Sequence, residues 1–414
     1  MGSGSFSARE NEPDPISLFV PAPVAAWADA GIEALAALAP QGTFAQLRGS
    51  QLLSERASIS GYVSRGAISP GGGCRLLDAR DAGIALNLAR DEDWELLPAW
   101  LECGVAKDWD AVADVVRSRP ARELVQRGRE IGLAVAVDEL PGRSFVGAPS
   151  GATRSRLKPL LHKKGRGNAR ESPRVIDLSS LWAGPLCGHL LQQLGAEVIK
   201  VESLQRPDGA RRGPALFFDL LNAGKASVAL DFGTASGRAQ LQWLIEGADI
   251  VIEASRPRAL RQLGLDAETL AARHGLAWIG ITAYGRSPET ENWIGYGDDV
   301  GVAAGLSAVM CAATGRRVIA GDAIADPLTG LHAARAAWQA WCAGEGGLID
   351  VSMHDVVRRC INWSPSPIIS KWGRTPISTP GCWGEPAPVT RHVRAPSGVA
   401  SPLGADTDRI LRGP

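Results

Sequence analysis

The clearest opportunity for chemistry in this sequence is a tight turn, Ala183-Gly184-Pro185, between two short apolar runs. Residues 175–178 before the turn and 198–201 after it have the composition of buried strands. Leucines at helical spacing fill the segment between them, and Gly195 ends that segment. Strand, turn, helix and strand within about thirty residues predict a βαβ unit, and therefore a parallel sheet.

The start of the helix in such a unit can bind a phosphate, because free N–H groups and a partial positive charge lie there. Glu202 closes the second strand, where a dinucleotide-binding fold places the acid that binds ribose. The glycines do not have the spacing G-x-G-x-x-G, however, and Pro185 removes one donor. From spacing alone, a dinucleotide site and a βαβ unit without a ligand at this turn both stay open.

A second candidate for chemistry is Asp326, which is followed by Pro327 and an apolar segment with helical periodicity. The local pattern favours an N-cap aspartate with proline at the first helical position. A helix N-terminus also keeps a carboxylate charged, so a structural and a chemical role are compatible.

Strands and helices alternate from residue 174 to 360, which predicts an α/β fold with a doubly wound, Rossmann-like parallel sheet. Residues 23–147 have a different order of elements, and we expect a second, smaller α+β domain there. The remaining segments are expected to be a flexible arm at 1–22, a basic linker at 148–173 and an extended tail at 361–414 that packs on the large domain.

Composition argues against several classes of partner. The 414 residues are 45% apolar and 21% charged, as in soluble proteins of two or three domains. A net charge of zero argues against nucleic acid or an acidic membrane surface as a partner. No apolar run reaches the roughly 18 residues that span a bilayer, and no signal-peptide segment is recognisable. Seven cysteines without C-x-x-C or zinc spacing predict reduced thiols, a cytoplasmic location and no metal.

The βαβ unit resembles that of the family III CoA-transferases, a group with formyl-CoA transferase, carnitine CoA-transferase and the α-methylacyl-CoA racemases. The motifs that carry the resemblance are Val175-Ile176-Asp177-Leu178, Ala183-Gly184-Pro185, 194–202, Leu221-Asn222-Ala223-Gly224-Lys225, Arg256-Pro257, Leu263-Gly264-Leu265, Ile324-Ala325-Asp326 and Asp350-Val351-Ser352. In the family the small domain follows the segment that resembles residues 350–357, whereas here the similar segment, residues 60–140, comes first. The resemblance therefore implies a rearranged, permutation-like chain and an interlocked homodimer.

The family's catalytic aspartate corresponds to Asp326, which the resemblance makes the nucleophile. It implies a CoA-transferase that moves CoA from an acyl-CoA thioester to a free carboxylic acid through an aspartyl anhydride and an aspartyl-CoA intermediate. The family's glycine loop resembles Gly71-Gly72-Gly73, whose N–H groups could stabilise an oxyanion. An ordinary hairpin turn remains the alternative interpretation of these glycines.

The resemblance also implies a set of residues that bind coenzyme A. They are Leu181, Trp182, Ala183, Gly184, Pro185, Lys200, Asn222, Lys225, Arg261 and Tyr284. Two basic positions of the family are occupied here by Ser203 and Ala226. Arg206, Arg211 and Arg212 are the candidates to replace the missing phosphate contacts.

Two alternatives to a CoA-transferase stay open. A racemase or isomerase of this family pairs its aspartate with a histidine, and Tyr296 stands in that place here. Tyrosine, with a pKa of about 10, is a poor base at neutral pH, which disfavours this alternative. The lost basic positions make a CoA-binding protein without turnover the other alternative.

Overall fold

The computed structural model describes residues 19–140, 171–363, 387–388 and 393–412. Most of the expected arm and basic linker, and a large part of the expected tail, lie outside these residues.

The described residues form eleven strands. They are β1 (Phe19–Val20), β2 (Cys74–Asp78), β3 (Gly83–Asn87), β4 (Ala134–Asp138), β5 (Arg174–Asp177), β6 (Glu197–Ser203), β7 (Ala226–Leu230), β8 (Ile250–Glu253), β9 (Ala277–Thr282), β10 (Gly347–Ser352) and β11 (Ala387–Pro388). Strands β2, β3 and β4 form an antiparallel sheet, and β1 pairs with β11.

The same residues form sixteen α-helices. They are α1 (Ala22–Ala36), α2 (Gly49–Leu52), α3 (Glu55–Ser60), α4 (Asp93–Leu101), α5 (Trp109–Arg117), α6 (Ala121–Ile131), α7 (Ala183–Gln193), α8 (Ala215–Asn222), α9 (Ala235–Glu246), α10 (Pro257–Gln262), α11 (Ala267–His274), α12 (Gly297–Ala303), α13 (Leu306–Thr314), α14 (Ala325–Ala343), α15 (Met353–Ile361) and α16 (Thr407–Arg412). None of them is both long and apolar enough to cross a membrane.

The six strands β5 to β10 form one parallel sheet in the order β7-β6-β5-β8-β9-β10. The chain builds outward from β5 to one edge, and then returns to add β8, β9 and β10 on the other side. This is the strand order of a doubly wound fold, which binds ligands where the order reverses, here between β5 and β8. The expected α/β class with a parallel sheet is confirmed, and β2, β3 and β4 form an additional, smaller antiparallel sheet.

The predicted βαβ unit is formed by β5, α7 and β6, and its helix is pressed between the sheet and α14. Because α7 is buried on nearly all sides, its leucines are not confined to one stripe. The close approach requires a glycine at 330, since a Cβ there would lie 2.5 Å from the carbonyl oxygen of Ala183. The contact brings the first turns of α7 and α14 together.

The small unit has its own core, in which β2, β3 and β4 pack against α4, α5 and α6 around Trp100 and Leu124. The expected boundaries 23–147 are wrong for its N-terminal part. Helix α1 packs on α14 in the core of the large unit, through Val24, Ile32 and Leu35. An apolar stripe predicts that a helix is buried, but it does not identify the surface that covers it.

The two ends of the chain are ordered where they are described. Residues 19–22, expected to belong to an arm, form β1 and the start of α1. Residues 393–412 contact the large unit through Asp406 and Thr407, whose side chains accept hydrogen bonds from the backbone of Ser227 and Ala229 on the edge strand β7.

Candidate active site

A cleft of about 360 Å³ opens at the carboxyl end of the parallel sheet, where the strand order reverses. The turn between β5 and α7 lines it with Ser180, Leu181 and Ala183, and the loop after β8 lines it with Ser255 and Arg256. Loops that follow neighbouring parallel strands meet at the same edge of a sheet, so this placement follows from the strand order.

Asp326 reaches this cleft from the first turn of α14 and is partly exposed there. The backbone N–H of Ala183, at the start of α7, faces the Asp326 carboxylate and favours its ionised form. The Oδ2 atom lies against Gly297, where an added Cβ would be only 2.2 Å away. The side chain therefore packs between the starts of two other helices, α7 and α12.

The expectation that Asp326 caps its own helix is wrong. The N-cap of α14 is Ile324, and the backbone N–H of Asp326 already donates to the carbonyl of Ala323 at 2.9 Å. The chain enters the helix before Asp326, so the carboxylate is free to point into the cleft.

Two residues beside the cleft have left-handed backbone conformations that non-glycine residues rarely adopt: Leu181 with φ 70° and Ala323 with φ 44°. Their backbone N–H groups donate to the carboxylates of Asp208 at 2.9 Å and of Asp298 at 2.8 Å, respectively. Such conformations persist where the surroundings enforce them, commonly at functional sites. Here, two aspartates hold the strained backbone next to Asp326.

Burial raises the pKa of Asp326 to about 7, and the nearby carboxylates of Asp298 and Asp322 act in the same direction. The guanidinium of Arg56 and the N–H of Ala183 oppose that rise. Near neutral pH this carboxyl is therefore present in both its protonated and its ionised form, as is common for groups that react.

The glycine loop of the small unit lies beside the same group of acids without lining the cleft. Ser69, two residues before the loop, hydrogen-bonds the side chain of Asp298. Asn87, which lies against Gly73, donates from Nδ2 to Oδ1 of Asp299 at 2.8 Å. Burial raises the pKa of Asp298 to about 6 and that of Asp299 to about 7.

Three arginines, Arg90, Arg206 and Arg256, line the cleft. Arg90 bonds Asp93 from Nε at 2.9 Å, whereas Arg206 and Arg256 have no carboxylate within ion-pair distance among the residues that the structure describes. Burial, together with the charges of neighbouring arginines, lowers the pKa of Arg256. These side chains can bind an anionic ligand such as a phosphate.

Of these three, the sequence analysis proposes only Arg206 as a phosphate contact. Arg256 belongs to the Arg256-Pro257 motif, three residues after the end of β8, and this position at the end of a strand is a signal for a ligand contact. Arg90 had none, because it belongs to the small unit and reaches the cleft only through the tertiary fold.

The structure corrects the expectation that Lys200, Asn222 and Lys225 face the ligand. All three are buried. Nζ of Lys225 donates to the Asp177 carboxylate and to the carbonyl of Pro185, both at 2.9 Å, and Asn222 joins the same network. Nζ of Lys200 lies 2.9 Å from the Asp208 carboxylate. These residues support the turn from below and do not reach the cleft.

Of the other residues expected to bind CoA, Leu181 and Ala183 line the cleft. Trp182, Gly184 and Pro185 are buried beneath it, and the ring of Trp182 packs edge-on against Phe217.

Arg261 and Tyr284 lie outside the lining of the cleft. Arg261 pairs at 2.9 Å with Glu291, and the Tyr284 ring packs 5.5 Å from that of Trp293. Glu291 and Trp293 themselves line the cleft, so each predicted residue supports one that does. No group of His, Cys, Asp or Glu in the described ranges is arranged to hold a metal.

The cleft thus combines the Asp326 carboxyl, which can change its charge near neutral pH, with the N–H of Ala183 beside it and arginines around it. Such a site can attack an electrophilic carbonyl carbon while its arginines bind a negatively charged leaving group.

About half of the chain is similar to known proteins. Residues 171–374 match the model of CoA-transferase family III. The chain is 33% identical over 223 residues to succinate–glutarate CoA-transferase of Agrobacterium fabrum, which covers 49% of this chain and 55% of that protein. It is 31% identical over 196 residues to succinyl-CoA–D-citramalate CoA-transferase of Chloroflexus aurantiacus, which covers 44% and 49%.

Among solved structures, the chain is similar to a crystal structure of the hypothetical protein Rv3272 from Mycobacterium tuberculosis. The two chains are 33% identical, the TM-score is 0.41, and the similar region covers 46% of this chain and 57% of that chain. The chain spans about half the length of the curated relatives it matches. The expected resemblance to the family III CoA-transferases is confirmed for the matched part.

Proposed function

Because residues 171–374 match CoA-transferase family III, we propose that the protein transfers CoA between an acyl-CoA thioester and a free carboxylic acid, with Asp326 as the nucleophile. The observation that carries the proposal is the position of Asp326. This residue of the family motif lies in the cleft where the strand order reverses, with a backbone donor beside it and arginines around it.

The first half of the proposed reaction moves CoA onto the enzyme. An oxygen of the Asp326 carboxylate attacks the thioester carbonyl carbon, the C–S bond breaks, and CoA leaves as a thiolate, which gives a mixed anhydride. The thiolate then attacks the Asp326 carbonyl carbon of that anhydride. The bond between the Asp326 carbonyl carbon and the bridging oxygen breaks, so the donor leaves as a free carboxylate and Asp326 carries CoA as a thioester.

The second half repeats these steps in reverse with another acid. The acceptor carboxylate attacks the aspartyl thioester and displaces the thiolate, which then attacks the acceptor's carbonyl carbon. The new acyl-CoA forms and the Asp326 carboxylate is released. No water or metal is needed in this cycle, since one acyl bond is exchanged for another at each step.

The cleft offers each step a matching group. The N–H of Ala183 faces the Asp326 carboxylate, so it can stabilise the negative charge that develops on this group when the thiolate attacks the Asp326 carbonyl carbon. Arg206 and Arg256 can bind the phosphates of CoA at the rim. The pKa of about 7 for Asp326 leaves enough carboxylate for attack at neutral pH.

The racemase alternative gains no support from the site. Tyr296 lines the cleft with Asp326, but burial raises its pKa above the ordinary value of 10.0. It would therefore be an even weaker base for an α-proton than a free tyrosine.

Hydroxylamine trapping tests the proposal, because hydroxylamine attacks anhydrides and thioesters but not a free carboxylate. The protein would be incubated with a panel of acyl-CoA esters, and peptide mass spectrometry would locate any hydroxamate. We expect hydroxamate at Asp326 only, formed only when an acyl-CoA is present, together with loss of activity.

Two variants serve as controls. Asp326→Asn should give no hydroxamate, and Asp355→Asn, which changes an aspartate outside the cleft lining, should be trapped like the wild type. Acyl exchange between CoA esters and free acids without any hydroxamate at Asp326 would contradict the proposal. A protein that binds acyl-CoA but neither exchanges nor traps it is the binding protein without turnover.

A further inference from the structure

One arginine of the N-terminal part of the chain, Arg56 on α3, lies next to the carboxylates beneath the cleft. Its guanidinium donates to both carboxylate oxygens of Asp322, with 2.8 Å between Nε and Oδ2. It also lies over the ring of Trp182, 5.2 Å from the ring centroid. Asp322 is fully buried and precedes Asp326 by four residues. The pair therefore ties α3 to the segment that carries Asp326.

Nε and Nη2 of Arg56 thus form a fork that holds the Asp322 carboxylate, and the third guanidinium nitrogen, Nη1, takes no part in this contact. Bidentate contact and stacking fix the plane of the guanidinium and the position of its charge. A lysine could keep the charge but could reproduce neither the fork nor the stacking geometry.

Among the groups around the Asp326 carboxyl, negative charges outnumber positive charges. Asp298 faces it from α12 and Asp322 from the segment before α14, while Arg56 faces it from α3. The N–H of Ala183 contacts it from α7. Three carboxylates thus share one nearby guanidinium, and like charges at this distance oppose full ionisation.

The other charged or titratable groups in this region line the cleft or face residues other than Asp326. Those that line the cleft with Asp326 are Arg90, Arg206, Arg256, Glu291 and Tyr296. Burial strongly raises the pKa of the Cys74 thiol, which faces Asp298 and Asp299, so the thiol adds no negative charge at neutral pH.

Arg56 and Asp322 act on the charge of Asp326 in opposite directions, so the stronger of the two determines the effect of the ion pair. The charge of Arg56 acts on Asp326 more strongly than that of Asp322 does. The pair as a whole therefore favours the ionised carboxylate, although its members act in opposite directions.

We infer that Arg56 is a positioning residue whose guanidinium, oriented by its two hydrogen bonds to Asp322 and by the ring of Trp182, places a positive charge beside the Asp326 carboxylate. The inference rests on the nucleophilic role proposed for Asp326. It adds a part of the site that lies outside the family-matched residues 171–374.

Opposite shifts from the two halves of one ion pair test this inference. Arg56→Gln removes the favourable charge, so the titration midpoint of Asp326 should rise by at least about one pH unit. Starting from about 7, such a rise lowers the ionised fraction at pH 7 about fivefold. Asp322→Asn removes a repelling charge but keeps an amide oxygen that can accept a hydrogen bond from Arg56, so the guanidinium should stay in place and the midpoint should fall.

The midpoint would be measured directly by infrared titration of the carboxyl group in the full-length protein without substrate. The Asp326 band is identified as the one that Asp326→Asn removes. The acidic limb of the pH profile for CoA transfer should move in parallel with that band. A merely structural ion pair predicts the same direction for both variants, because each of them breaks the same contact.

Arg56→Lys provides the second variant, should Arg56→Gln fail to fold by circular dichroism. It keeps the charge without the fork, and its midpoint should rise less than that of the glutamine variant. Midpoints of the Arg56 and Asp322 variants that do not move in opposite directions overturn the inference, even if the wild type transfers CoA. Opposite shifts in a protein that does not transfer CoA uphold the inference and overturn the proposed function.

Discussion

Two groups of buried charges lie on either side of the start of α7, and they are balanced differently. Beneath the turn, Lys225 pairs with Asp177 and Lys200 with Asp208, both at 2.9 Å, so each carboxylate has its own ammonium. Burial alone would raise the pKa of Asp177, but Lys225 and Lys200 hold it below its usual value.

On the other side, three carboxylates face one guanidinium, and the pKa of Asp326 rises to about 7. Both groups of charges lie next to the start of α7 and are largely removed from solvent, so burial alone does not explain why their pKa values differ. A buried carboxylate with its own cation is fixed in one charge state and supports structure. A carboxylate that shares its cation with others can change its charge near neutral pH, as a reactive group must.

The largest effect should come from Asp326→Asn on the unbalanced side. The amide cannot act as the nucleophile, so the rate of CoA transfer should fall by at least about 10³-fold. Stability at pH 8 should be equal or higher, because a charged carboxylate with too few cations is replaced by a neutral group. Acyl exchange followed by mass spectrometry, and thermal unfolding at pH 8, measure the two quantities. A matching loss of activity and of stability would place Asp326 with the structural charges instead.

The next largest effect should come from Lys225→Met on the balanced side. Removing one partner leaves the buried Asp177 carboxylate unpaired, which typically costs about 3–5 kcal/mol. Urea unfolding at pH 7 measures this loss. The double variant Lys225→Met/Asp177→Leu should lose less stability than the single variant, because no unpaired charge remains. A single variant that loses under about 1 kcal/mol would show that the pair is not needed for the fold.

The sequence predicted the βαβ unit and the parallel sheet because their signals are local. The apolar run that ends at Leu178 and the turn at Gly184 determine strand and helix within a few residues. It failed for Lys200 and Lys225, since a lysine in a motif has the same letter whether it contacts a ligand or a buried aspartate. Only the burial of these side chains, a tertiary property, separates the two roles.

The same limit applies to residues distant in the chain. Arg56 and Arg90 precede the family-matched segment and carry no motif, yet they lie at the cleft or beneath it. Helix α1 was assigned with residues 23–147 to the small unit, but it packs on α14 in the core of the large unit. In each case the partner surface is formed by residues far away in sequence.

A smaller effect should come from Asp299→Asn, because Asp299 is a buried carboxylate next to the unbalanced group and interacts with Asp298. Its pKa of about 7, against 3.8 ordinarily, means that the folded state binds the proton more tightly than the unfolded state. Stability is therefore lost as the pH rises from about 4 through about 7, by at most about 4 kcal/mol from this group. The asparagine variant should lack this loss and be about 1–2 kcal/mol more stable at pH 8.

Asp406→Asn provides a control of opposite sign, measured by the same urea unfolding between pH 4 and 8. A hydrogen bond from the backbone of Ser227 lowers the pKa of Asp406, so this carboxylate contributes stability at neutral pH that is lost on acidification. Its asparagine variant should be slightly less stable at pH 7 and unchanged at low pH. Identical pH dependences for the two variants would remove the distinction between the two kinds of carboxylate.

The smallest effect should come from Arg256→Gln at the rim of the cleft, which extends the comparison from carboxylates to cations. Arg256 lines the cleft without a carboxylate partner among the described residues, so it is available to a phosphate of the substrate. Loss of one exposed, charge-assisted contact should raise KM for the acyl-CoA about fivefold, by about 1 kcal/mol, and leave kcat little changed. Arg261→Gln is the matched control, because Arg261 lies outside the cleft lining and already pairs with Glu291 at 2.9 Å, and the KM of this variant should stay within about twofold of the wild type. Steady-state kinetics at low and high salt distinguish the two arginines. Salt screens the contact of Arg256 with the phosphate, so the KM difference between the wild type and Arg256→Gln should shrink as salt rises, whereas the KM of Arg261→Gln should follow that of the wild type. A larger effect from Arg261 than from Arg256 would mean that the paired cation binds CoA and that the unpaired one does not.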